Sequence, residues 1–91
     1  MKKELSPITT ARWNNKEIDD IAFLDHIFEA TKVEIRPRVY RGDWNELIWC
    51  VEIYDWENNK ELKTLVNFPS REKAVREALL WYYFEYYLEN A

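Results

Sequence analysis

The spacing of apolar residues changes twice along this chain, and that pattern limits the available folds more than any single motif. Ile18, Ile21, Leu24 and Phe28 recur at steps of three and four, the period of one helical face. From Lys32 the step becomes two, with Val33, Ile35, Pro37 and Val39 on one side of a strand and Glu34, Arg36, Arg38 and Tyr40 on the other. After Phe68 the helical step returns and holds to the end of the chain. The expected order is α-β-β-β-α, an α+β fold with a three-stranded antiparallel sheet and helices before and after it.

Local signals set the expected boundaries. Asn14 can cap a first helix, Glu17 can complete a capping box, and Trp13 can staple onto Ile18, so this helix is expected to start near Asn15 and end near Ala30. Residues 1–13 then read as an N-terminal arm, and residues 14–91 as one domain. Pro37 cannot donate to a ladder, which places the first strand at a sheet edge or calls for a bulge near that point. Arg41-Gly42-Asp43 contains the chain's one glycine, so Gly42 is expected at positive φ in a hairpin turn. The second strand puts Leu47, Trp49, Val51 and Ile53 on the inner face and Cys50, Glu52, Tyr54 and Trp56 on the outer. Asn58-Asn59 marks another turn. The third strand is expected to alternate strictly, with Leu62, Thr64, Val66 and Phe68 inward and Glu61, Lys63, Leu65 and Asn67 outward. Ser70 caps a last helix over residues 71–89. The one-sided polarity of the first strand favours a two-layer sandwich.

A chain of 91 residues buries only a little over ~60% of its unfolded surface, so its core must come from large side chains. Five Trp, six Tyr and four Phe supply them. Cys50 stands alone, which excludes an internal disulfide and suits a reducing, cytoplasmic setting. The Lys2-Lys3 start is followed by no apolar run of signal-peptide length, and no stretch reads as a membrane span.

Nothing in the sequence composes a catalytic or metal motif. His26 is the one histidine, no Cys/His set has zinc spacing, and one glycine cannot build a phosphate-cradling loop. The chain therefore reads as a binding protein, not an enzyme, with no cofactor.

Two surfaces exceed what folding needs. On the last helix, Val75, Ala78, Leu79, Tyr82 and Tyr86 form the stripe expected to face the sheet. Leu80, Phe84 and Tyr87 gather on the far side with Trp81 and Leu88 as a flank, so the C-terminal half is apolar almost all round. Either Leu5, Ile8 and Trp13 of the arm cover that second stripe, or it meets a protein partner, most simply a second copy in a homodimer. The outer sheet face interleaves Arg36, Arg38, Tyr40, Tyr54, Trp56 and Lys63. Such a face can dock a partner through Tyr54 and Trp56 or stack bases, and it equally makes cross-strand pairs with Glu34, Glu52 and Glu61.

The α-β-β-β-α order resembles that of double-stranded-RNA-binding domains. In that family a lysine-rich start of the second helix holds phosphates. The matching stretch here, Ser70-Arg71-Glu72-Lys73-Ala74-Val75-Arg76, keeps Arg71, Lys73 and Arg76, and the Arg41-Gly42-Asp43-Trp44 loop lacks the family's histidine. The resemblance implies nucleic-acid binding through those residues, with Arg36 and Arg38 as further contacts. A net charge of −4 weighs against it. The Trp49-Cys50-Val51-Glu52-Ile53 strand and the Ala74-Val75-Arg76-Glu77-Ala78-Leu79-Leu80 helix also resemble small bacteriophage proteins of the ABA-sandwich type. That resemblance implies a phage-encoded protein that binds and inhibits a host protein in the host cytoplasm.

Overall fold

A computed structural model describes residues 4–89. Helices α1 (Pro7–Asn14) and α2 (Asp20–Thr31) precede strands β1 (Val33–Arg41), β2 (Leu47–Asp55) and β3 (Lys60–Phe68). Helix α3 (Arg71–Leu80) follows and runs directly into a π-helical segment, Trp81–Tyr87. The sheet is antiparallel in the order β1-β2-β3. The α+β class and the three-stranded meander stand as the sequence predicts, with one helix more.

That extra helix replaces the expected loose arm. The Ser6 hydroxyl accepts from the Thr9 N–H, and Pro7 occupies the first turn, where its missing N–H costs nothing. Leu5 and Trp13 are buried. The Trp13 ring stacks on Phe23, its indole N–H donates to Asp20 Oδ1 at 2.8 Å, and the Arg76 guanidinium lies over its face. The helix signals at Asn14 and Glu17 are thus overruled. Residues 15–18 form a turn with Lys16 at φ 61, and α2 starts later, on Asp19, whose carboxylate accepts from the Ala22 N–H.

The buried face of α2 also differs from the expected one. Phe23 and Ile27 are fully buried, whereas Ile21 and Phe28 are about 40% exposed. Apolar residues occupy most of α2, so spacing alone allowed two faces. The Trp13 stack on Phe23 selects one.

All buried sheet residues lie on a single face, where Val33, Ile35, Val51 and Ile53 meet Ala74, Val75, Ala78, Leu79 and Tyr82 of the last helix. This leaves two layers, with the Arg and Glu side chains of β1 and β2 on the outside. β1 is an edge strand, and its ladder passes Pro37↔Val51 without a register shift, as it can where the proline nitrogen faces the free edge.

Two expectations within the hairpins fail for identifiable reasons. The left-handed residue of the β1–β2 turn is Asn45 (φ 64), not Gly42. Gly42 is instead a close-approach position: a Cβ there would lie 2.6 Å from the Ile48 Cδ1 and from the Glu46 carboxyl carbon. In β3, register shifts between Trp49/Val51 and between Ile53/Tyr54 break the strict alternation, with Asn67 at φ 71 beside the first. Leu62, Leu65 and Phe68 consequently pack toward the core at steps of three, and Val66 and Thr64 are exposed. Lys63 pairs opposite Ile53, away from the position predicted for it.

Asp55, which the sequence reading left unassigned, is buried at the end of β2. Its carboxylate accepts from the N–H groups of Glu57 and Asn58 and from the Asn58 side chain, so it builds the β2–β3 turn.

Candidate protein-docking surface

Helix α3 begins as expected, with the Ser70 hydroxyl accepting from the Lys73 N–H. It does not continue as an α-helix. From Trp81 the turn widens, and the Leu88 N–H reaches the Tyr83 carbonyl, five residues back, at 3.1 Å. Residues five apart then meet: Trp81 stacks on Tyr86 at 5.9 Å between centroids, and Tyr82 packs against Tyr87 at 6.2 Å with the rings tilted by 32°. π-helical turns are rare and concentrate at functional sites. Here the widening distributes six aromatic residues, interrupted only by Glu85, over an inner and an outer face.

The inner face is settled by packing. Tyr82 is buried, and its hydroxyl donates to Thr31 Oγ1. Burial pushes its pKa up to about 12, assisted by Tyr86, Tyr87 and Asp55 nearby and opposed by the Thr31 bond. Tyr87, assigned from the sequence to the outer stripe, turns toward the N-terminal segment. Its hydroxyl accepts from the Leu5 N–H at 2.9 Å, and its ring stacks on Tyr83. Trp13 meets the edge of that same Tyr83. Residues 5–13 therefore cover part of the second stripe, as one of the two sequence alternatives supposes. Ile8 takes no part and is exposed.

The rest of the stripe stays open. Leu80, Trp81 and Phe84 line a shallow groove of about 390 Å³ together with Leu65 of β3, flanked by Glu77 and Glu85. Phe84 is 50% exposed. Leu88, also exposed, lies past the groove near the end of the described residues. Leu65 was assigned to the opposite sheet face by strict alternation; the bulges in β3 bring it here. Glu77 forms an ion pair with Lys73 at 2.9 Å, one helical turn back. Glu85 makes no ion pair among the described residues.

Tyr54 and Trp56 occupy a separate surface, the outer face of the sheet. Their rings pack at 4.6 Å, with the Tyr54 hydroxyl donating to Asn59 and the Trp56 N–H to Glu34. The arginines of that face pair with acids: Arg36 with Glu34 at 3.5 Å, and Arg38 with Glu52 at 3.4 Å. On α3, Arg76 pairs with Asp20 at 3.1 Å, Lys73 with Glu77, and Arg71 shares a cleft with Asp19, Asp20 and Glu72. The five basic residues singled out for phosphate contact thus stand next to carboxylates on two different faces.

Among the described residues, no group of three His, Cys, Asp or Glu is placed to hold a metal ion. No helix there is long and apolar enough to cross a membrane. His26 has a structural contact, accepting from the Ser6 N–H through Nε2 at 2.9 Å. Cys50 is half-buried on β2.

No protein-family model, curated protein or solved structure matches this chain.

Proposed function

We propose that this chain is a non-catalytic protein-binding module whose docking surface is the groove of Leu65, Leu80, Trp81 and Phe84. The observation that carries this reading is the half-exposed Phe84 lining an apolar concavity, on a domain whose buried core forms without it. Exposed single apolar residues are ordinary, but a contiguous patch with charged flanks is the usual form of an interaction site. Trp and Phe in such a patch give contact area at small entropic cost.

A second copy suits this groove less well than a different protein. A two-fold axis passing near Leu80 and Trp81 would set the unpaired Glu85 of one chain against Glu77 of the other, which already has Lys73 as its ion pair, so self-association gains no new charge pairing. The chain is accordingly expected to remain monomeric in light scattering at high micromolar concentration.

The test is a paired capture from an extract of the source cells, with wild type and Leu80→Glu/Phe84→Glu as baits. Urea unfolding of both chains is measured alongside. The reading expects a protein retained by the wild type and lost from the variant, with the variant still unfolding cooperatively although Leu80→Glu, at a half-buried site packed against the core, costs about 1–3 kcal/mol. Retention of the same protein by both, or retention of duplex RNA with Arg36 and Arg38 required, would contradict it.

A further inference from the structure

The charge placement around the groove goes against the helix that bears it. Carbonyl groups at a helix C-terminus carry partial negative charge, so Lys or Arg is favoured there and Glu is disfavoured by a few tenths of a kcal/mol. The C-terminal turn of this helix contains Glu85, is followed by Glu89, and has no basic residue. Glu85 also borders the apolar groove, is exposed, and has no ionic partner among the described residues. Among the described residues no ion pair compensates the placement. Two negative sources, the helix end and the unpaired Glu85, thus flank one apolar concavity, while Glu77 on its other side already has Lys73.

The shape of the occupant follows from β3. A strand added beside Leu65 would need a regular edge, but the register shifts and the left-handed Asn67 interrupt it. A helix laid into the groove needs no such edge. We infer that the partner, on the protein-binding reading above, presents a cationic amphipathic helix, its apolar side chains on Leu80, Trp81, Phe84 and Leu65 and its Lys or Arg residues against Glu85 and the negative end of the helix.

The experiment titrates the full chain, isotope-labelled for NMR, with ~16-residue helical peptides of one apolar pattern. One peptide carries Lys on its polar face and the other Glu. The Lys peptide should shift the resonances of Leu65, Leu80, Trp81, Phe84 and Glu85, weakly enough to be reversed by high salt. Glu85→Lys, which favours the helix dipole and so keeps the fold, should weaken that binding about fivefold and improve binding of the Glu peptide. Equal binding of both peptides in the groove would overturn the charge assignment and leave the groove as a docking site. No shift from the Lys peptide, with partner capture still dependent on Leu80 and Phe84, would overturn the inference and not the reading beneath it.

Discussion

The Trp13 indole lies flat on Phe23, with 4.3 Å between ring centroids and 9° between planes. This contact joins α1 to α2. The same indole reaches Asp20, Arg76 and Tyr83, so one side chain links every helical element of the domain. Trp13→Ala is therefore expected to cost about 3–5 kcal/mol, the range for deleting a large buried aromatic residue. Trp13→Phe keeps a stack and loses the Asp20 bond, and should cost less. Urea unfolding of both variants checks the order; an alanine variant within about 1 kcal/mol of wild type would show that α1 is not part of the cooperative unit.

Tyr82 gives the domain an alkaline limit. Its pKa is raised from 10.0 to about 12, so the protonated form is favoured in the folded state. The linked stability is complete below pH ~10, falls as pH rises from there toward ~12, and amounts to about 2–3 kcal/mol. Tyr86 is raised as well, by its own burial first and by Asp55 second, and acts in the same direction. Unfolding free energy measured across that range should drop, and Tyr82→Phe should flatten most of the drop. An unchanged profile in Tyr82→Phe would assign the loss to other groups.

The β1–β2 turn separates two roles that the sequence merges in one glycine. At Gly42 an added methyl meets the ends of the Glu46 and Ile48 side chains, both of which can swing aside. Gly42→Ala should thus change stability by less than about 1 kcal/mol. Asn45 holds the left-handed conformation, so Asn45→Val should cost roughly 1–2 kcal/mol. The reverse ranking in thermal unfolding would return the left-handed position to Gly42.

These elements also mark what the sequence could convey. Strand positions, Ser70 as a cap and the inner stripe of Val75, Ala78, Leu79 and Tyr82 were legible because periodicity and capping chemistry agree there. Helix α1 was not, since eight residues with little amphipathic pattern become a helix through tertiary contacts of Leu5 and Trp13. The inward turn of Leu65 was hidden as well, because bulges in β3 depend on pairing and leave no period in the chain. For the proposed docking surface, Leu80, Trp81 and Phe84 followed from helical projection. Tyr87 did not, as the π-helical turn rotates the residues beyond Trp81 off the α-helical projection. Glu77 and Glu85 gain meaning only beside the groove they flank.

The most direct test of the docking surface places a photoreactive residue at position 84 and, as a control, at the exposed position 14 near the end of α1. Irradiation in source-cell extract should give one crosslinked protein from position 84 and none from position 14. Excess unmodified wild-type chain should suppress the adduct, and excess Leu80→Glu/Phe84→Glu should not. An adduct of equal yield from both positions, or one suppressed equally by both competitors, would contradict a docking role for the Leu65, Leu80, Trp81 and Phe84 groove.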